Sequence, residues 1–206
     1  EGGSDGPLLA SWTFDTVAKG ELTRAVRYTD GLQYTTSIGA YDSLGRPLAT
    51  TINIPSDPAY GNLSGSYRFR STYNSDGSIR TNTLPAAGGL PEEVVSYTYN
   101  ELGMPIRMRG LSSAETVYYV NDTAYSKLGM VLQREHYRAD GSHQAKRTWS
   151  TRTYEAATNR LHTSRVHAEI GHGTLVEQSY SYDAAGNVLS IKDEPTAEGL
   201  LPDRQC

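Results

Sequence analysis

One five-residue pattern constrains this chain more than any other feature: an aromatic, then Asp, Asn or Ser, then Gly three positions further on. It occurs as Tyr41-Asp-Ser-Leu-Gly45, Tyr73-Asn-Ser-Asp-Gly77, Tyr99-Asn-Glu-Leu-Gly103, Tyr125-Ser-Lys-Leu-Gly129 and Tyr182-Asp-Ala-Ala-Gly186. Two looser copies are Phe14-Asp15, whose glycine arrives late at Gly20, and Tyr154-Glu155, where Asn159 stands in the glycine position. The copies begin at 14, 41, 73, 99, 125, 154 and 182, so the steps are 27, 32, 26, 26, 29 and 28 residues. A period in this range makes each copy one supersecondary unit of a repeat architecture.

The turn-opening positions are Asp15, Asp42, Asn74, Asn100, Ser126, Glu155 and Asp183. A short polar side chain there can bond the backbone two residues on. Gly45, Gly77, Gly103, Gly129 and Gly186 supply the left-handed residue that closes a hairpin with a bulge. The flanks are β-formers, such as Ser96-Tyr-Thr-Tyr99 and Pro105-Ile-Arg-Met108, and Tyr97 and Tyr99 share one strand face because side chains alternate. Each copy is read as a hairpin tip. A second set of turns should lie midway, at Asp30-Gly31, Pro55 to Gly65, Ala86 to Pro91, Gly110 to Ser113, Ala139 to Ser142, Gly171 to Gly173 and Pro195 to Gly199. The predicted fold is all-β: an antiparallel meander of about a dozen strands of ~9–10 residues in long hairpins, forming a curved or spiralling sheet. Long stretches of helical periodicity are absent, and Pro91 to Val95 is the one place where the pattern would tolerate a helical turn. Residues 1–11 read as a linker, 12–193 as the repeat region and 194–206 as the truncated start of a further repeat.

Composition narrows the function. Apolar residues are 37% of the chain, below the ~45–50% of ordinary globular domains. The 15 tyrosines against 2 Trp and 2 Phe suit sheets with a wet face, since tyrosine buries a ring and keeps a hydroxyl near polar partners. A net charge of −4 offers no basic surplus for nucleic acid. No apolar run approaches the ~18 residues of a membrane helix, and no signal peptide is visible at Glu1. Cys206 is the sole cysteine, so no internal disulfide forms.

Tyr182-Asp-Ala-Ala-Gly-Asn-Val-Leu189, Tyr41-Asp-Ser-Leu-Gly-Arg-Pro-Leu48 and Phe14-Asp15 with its flank to Thr23 resemble the YD (Rhs) repeats. Such repeats occur in bacterial Rhs and polymorphic-toxin proteins, toxin-complex C components and teneurins, and the resemblance covers residues 12–193. It implies a β-shell that encloses a C-terminal toxin domain in a large secreted or surface-delivered bacterial protein. The implied partners are the remaining repeats and that domain. Closed family shells have many more repeats, so this chain is expected to be an arc of wall, with Tyr41, Tyr73, Tyr99, Tyr125, Tyr154 and Tyr182 stacking as a ladder.

Candidate chemistry is sparse. Asp57-Pro58-Ala-Tyr-Gly61 approaches the family's self-cleavage segment but has its glycine one residue too far, so a turn is expected. Tyr73 to Gly77 lacks the alternating ligands and distal glutamate of a calcium loop. His162, His167, His172 and Glu169 suggest a metal site only weakly, because residues five apart on a strand face opposite sides. Asn62-Leu-Ser64 and Asn121-Asp-Thr123 match glycosylation sequons. No nucleophile elbow or phosphate loop is present, so no enzyme activity, cofactor or metal is expected. In Tyr67-Arg-Phe-Arg70 the arginines and aromatics fall on opposite faces. The alternative function is adhesion or glycan binding by exposed tyrosine rings, and open sheet edges would favour self-association.

Overall fold

The computed structural model describes residues 6–113, 115–139, 145–169 and 173–205. Among them run sixteen strands: β1 Ala10–Phe14, β2 Leu22–Thr29, β3 Leu32–Tyr41, β4 Pro47–Ile54, β5 Gly65–Tyr73, β6 Ile79–Leu84, β7 Glu93–Tyr99 and β8 Pro105–Ser112, followed by β9 Thr116–Val120, β10 Asp122–Tyr125, β11 Val131–Ala139, β12 Ala145–Tyr154, β13 Leu161–Ala168, β14 Val176–Tyr182, β15 Val188–Asp193 and β16 Asp203–Gln205. Strand order follows chain order, β1 to β9 in one sheet and β10 to β16 in a second. The pairings are antiparallel, as in the β3–β4 and β11–β12 hairpins. Two compact units result, residues 1–96 with 111–115, and residues 97–110 with 116–206.

The meander is all-β as expected, but with more and shorter strands than the predicted dozen. Lengths run from 3 residues in β16 to 10 in β3 and β12, because bulges and loops consume residues that the repeat step alone assigns to strands. One nominal strand is also split: Asn121 separates β9 from β10, and its N–H donates to the Glu135 carbonyl at 2.7 Å. The first strand begins at Ala10, inside the segment read as a linker.

Turns opposite the tips do not share one design. Asp30 and Gly31 have φ of 51° and 78° between the paired Thr29 and Leu32, which is the two-residue turn that matches strand twist. Gly88 and Gly89, at 59° and 87°, make a similar turn inside the Ala87–Leu90 bridge. Between β4 and β5 lies a 3-10 helix, Pro58–Leu63, capped by Asp57, whose Oδ1 accepts from the Ala59 N–H at 2.7 Å. Pro58 starts it without loss, since the first N–H of a helix has no internal partner.

Two local expectations are corrected. The helical turn forms at Pro58–Leu63 and not at Pro91 to Val95, because Val94 and Val95 pair with Thr83 and Asn82 as strand, where β-branched side chains fit. The turn expected at Gly110 to Ser113 lies later: Gly110 is buried within β8, and the Ser112 N–H meets the Glu115 carbonyl at 3.0 Å. Most of the Ala139 to Ser142 turn, and Gly171 with His172, lie outside the described residues.

Neither unit has an ordinary core. The buried apolar side chains among the described residues are Val26, Ala49 and Val95, joined by Thr35, Thr83 and Thr123. Strands pack against strands beside them in the sheets. The accessible surface is 14080 Å². A compact protein of this mass exposes about 9,500 Å², and two separate globules of half the mass would expose about 11,400 Å². Alternation in β5 shows how the faces differ: Tyr67, Phe69, Ser71 and Tyr73 are half-buried, whereas Arg68, Arg70 and Thr72 are exposed.

Candidate functional site

The repeat residues meet along the hairpin tips. At Asp42 the N–H donates to the Arg46 carbonyl at 2.9 Å and the carbonyl accepts from Gly45 N–H at 3.2 Å. Its Oδ1 accepts from the N–H groups of Leu44 and Arg46, both at 2.9 Å, and Oδ2 meets Arg46 Nε at 2.6 Å. These donors, the Arg46 backbone first, hold the Asp42 carboxyl below its ordinary range. Asn100 and Ser126 accept the same two backbone bonds, from Leu102 and Met104 and from Leu128 and Met130. Asp183 accepts from Gly186 and Asn187 N–H groups, and the Asn187 side-chain amide is the main cause of its lowered pKa. Asn74 differs: its Nδ2 donates to Ser78 Oγ at 2.9 Å, and Asp76 takes over the bond to the Ser78 N–H.

Gly45, Gly77, Gly103, Gly129 and Gly186 all have φ between 75° and 97°. The looser tips solve the same problem otherwise. Asn159 takes φ 58° in place of glycine, and its N–H reaches Glu155 O one residue further than in the regular tips. In the first tip Asp15 itself has φ 69°, and its Oδ1 accepts from Gly20 N–H at 2.5 Å. At each tip with a described register a bulge falls at the aromatic, as where Tyr41 pairs with Pro47, Tyr125 with Val131 and Tyr182 with Val188.

The tip tyrosines do not make the ring-on-ring ladder expected of them. Successive tips are separated by a return strand, so their rings stand about 10 Å apart, two strand spacings. Instead five of the hydroxyls reach across. Tyr41 donates to the Leu22 carbonyl at 2.5 Å, Tyr73 to Pro47 at 3.2 Å, Tyr125 to Pro105 at 2.6 Å, Tyr154 to Val131 at 2.9 Å and Tyr182 to Leu161 at 2.8 Å. The acceptor is in every case the first residue of the return strand in the preceding repeat. Burial raises the pKa of Tyr41 and Tyr182. Phe14 opens the series and lacks the hydroxyl.

A second clasp was not foreseen. At four tips the residue just after the left-handed position roofs the next tip. Arg46 lies over the Tyr73 ring at 4.2 Å and Arg160 over Tyr182 at 5.5 Å. A Cβ on Gly77 would stand 3.2 Å from Arg46 Nη1, on Gly186 2.9 Å from Arg160 Nη2, on Gly45 2.7 Å from Glu21 Oε1, and on Gly129 3.6 Å from Met104 Sδ. The signal was only partial: aligned on the left-handed position, the next residue is Glu21, Arg46, Met104, Met130 or Arg160, each with a long side chain, but Ser78 and Asn187 in the other two tips.

Elsewhere the candidates take ordinary partners. His167 stacks on Trp149 with centroids 5.5 Å apart, and no group of three or more potential ligands converges among the described residues. Asn121 Nδ2 donates to Glu135 at 3.0 Å. No helix among the described residues is long and apolar enough to cross a membrane.

No protein-family model matches the chain, and neither does any curated protein. Solved structures do. A crystal structure of TcdB2–TccC3 with Cdc42 matches over 90% of this chain and 10% of that one, at TM-score 0.62 and 16% identity. A TcdB2–TccC3–TEV structure matches over 92% and 10%, at 0.61 and 18%, and a Photorhabdus luminescens Tc holotoxin pore with mutated TccC3 over 90% and 10%, at 0.63 and 16%. The fold is that of Tc toxin chains. These neighbours contain Rhs repeats, in agreement with the resemblance carried by the tips. The chain spans about a tenth of their length.

Proposed function

We propose that the chain is a non-enzymatic wall segment of an Rhs-type shell, one that encapsulates the C-terminal toxin domain of a large secreted or surface-delivered bacterial protein. The observation that carries this reading is the tip edge, where the hydroxyls of Tyr41, Tyr73, Tyr125, Tyr154 and Tyr182 each tie their repeat to the one before it through a backbone carbonyl. Such bonds extend a sheet repeat by repeat without a core. The large exposed surface supports it, because a sheet this thin gains its burial from neighbours. The remaining repeats and the C-terminal domain are the proposed partners, and the wall performs its task by exclusion, with no reacting group or cofactor.

The test uses the full-length gene product. Limited proteolysis should leave its C-terminal domain intact while the same domain expressed alone is digested. Equal digestion rates in the two forms would refute encapsulation. A fold-preserving change at the tip clasp, Tyr125→Phe with Tyr182→Phe, should raise the rate in the full-length protein only.

A further inference from the structure

In the first unit, Tyr34 on β3 and Tyr60 in the 3-10 helix are joined hydroxyl to hydroxyl: the Tyr34 O–H donates to the Tyr60 oxygen at 2.5 Å, the short limit of such bonds. Their ring centroids stand 6.1 Å apart at an interplanar angle of 70°. Rings joined in line through their hydroxyls would stand farther apart. This pair therefore folds together at the hydroxyl end, where the ring carbons ortho to each oxygen lie. Both partners are held from behind. Tyr34 pairs with Arg27 in the β2–β3 ladder and carries that guanidinium over its ring at 5.2 Å, while the Tyr60 N–H donates to the Asp57 carbonyl at 3.0 Å. Both residues are half-buried, and Tyr34 borders a concavity of about 240 Å³ that Trp12 and Ile52 also line. The bond to Tyr60, ahead of burial, raises the Tyr34 pKa to about 12, so Tyr34 stays a donor through the neutral range.

We propose that Tyr34 and Tyr60 form a site of oxidative modification, coupled into a dityrosine by a haem peroxidase that uses hydrogen peroxide. Each phenol gives up one electron and its hydroxyl proton. The two phenoxyl radicals then join by a carbon–carbon bond between ortho positions, and the ring hydrogens displaced there move to the oxygens as both rings regain aromaticity. The pair loses two hydrogen atoms in all, and one peroxide takes them up on its reduction to two waters. Proximity selects this pair, because a partner already held in place turns a bimolecular encounter into an intramolecular one. Tyr118 and Tyr137 give the contrast: their centroids are also 6.1 Å apart, at 69°, but among the described residues no bond joins their hydroxyls. The new bond would tie the β4–β5 loop to β3 across 26 positions of chain. It would act as a disulfide does, chiefly by restricting the unfolded chain, in a sequence whose sole cysteine is Cys206. The site needs nothing from an enclosed domain.

Treating the purified chain with a haem peroxidase and hydrogen peroxide tests it, with peptide mapping of the monomer fraction as the readout. Digestion before aspartates leaves Tyr34 on residues 30–41 and Tyr60 on residues 57–75. These two peptides should appear joined at Tyr34 and Tyr60, lighter by two hydrogens than their sum, with dityrosine fluorescence in the same fraction. Tyr60→Phe and Tyr34→Phe should each lower that fluorescence at least tenfold, with thermal unfolding confirming that both variants fold, and Tyr118→Phe should leave it unchanged. Unfolding the chain in urea before photo-oxidation, with a ruthenium tris-bipyridyl complex and persulfate, should remove the preference for this pair that the folded chain shows. Mapping of the unsubstituted chain is decisive where a variant fails to fold. Absence of the joined peptide after peroxidase treatment would overturn the proposal, as would an equal yield from the urea-unfolded chain or fluorescence indifferent to Tyr60→Phe. Encapsulation is decided separately, by protease protection of the C-terminal domain.

Discussion

The two edges of the meander are built on opposite plans. Along the tips, one solution recurs: a polar side chain closes the turn, a left-handed residue reverses the chain, and a tyrosine hydroxyl ties the turn to the preceding repeat. On the other edge Asp30-Gly31 and the Ala87–Leu90 bridge hold similar two-residue turns, but the Pro58–Leu63 helix and the Ser112–Glu115 turn share no pattern with them. The difference shows where repetition is enforced. A tip must fit the tip beside it, so its chemistry is restricted, whereas the opposite turns need only return the chain in register.

One position on the irregular edge departs from that contrast and carries the largest expected effect. Gly173 has φ 91°, and a Cβ there would lie 2.5 Å from the backbone carbon of Thr196, where neither chain segment can yield cheaply. Gly173→Ala should cost upwards of about 2 kcal/mol in urea unfolding. A benign result would make the far edge tolerant throughout and sharpen the contrast.

At the tips, Gly186→Val should cost more than Gly103→Val. Both incur the left-handed penalty of about 1–2 kcal/mol, but only Gly186 would also press on Arg160. Equal midpoints in paired denaturation curves would remove the roof from the account. Tyr182→Phe and Tyr125→Phe, each losing one bond to a backbone carbonyl, should cost about 1 kcal/mol, and Tyr137→Phe, away from the tips, much less. Comparable losses at all three would show that the hydroxyls do not clasp.

The smallest effect at neutral pH concerns the acid limb. Asp42 and Asp183 have lowered pKa values, so the unfolded chain binds their protons at higher pH than the folded one, and stability rises with pH in that window. Their contribution is present above the unfolded value of about 3.9 and is lost as pH falls through the depressed folded values. Melting temperatures from pH 6 to 2.5 should therefore fall less steeply in Asp42→Asn with Asp183→Asn than in the parent. Parallel curves would mean that these carboxylates do not favour the fold.

What the chain spells out locally was readable from residues alone. Gly103 and Asn100 report a left-handed turn because backbone sterics and an Asx bond act within five residues, and Asn159 could be assigned to a glycine's place for the same reason. The helix at Pro58–Leu63 was read only as a turn, and Pro91–Val95 was the one stretch where a helical turn was allowed, because a short 3-10 turn has no periodicity to read and the pairing of Val94 and Val95 with β6 is a non-local fact. The stacked ladder was a similar error: sequence gives the recurrence of tyrosines but not the strand that keeps them apart. Glu135, Arg147 and Glu169 stand apart in the chain, and only the pairing of β11 with β12 and of β12 with β13 makes them neighbours. The sequence by itself determined the hairpin, its turn and its repeat, since those energies are short-ranged. The tertiary structure decided which hydroxyl meets which carbonyl and which charged side chains become neighbours, because those depend on pairing between strands that no local pattern specifies.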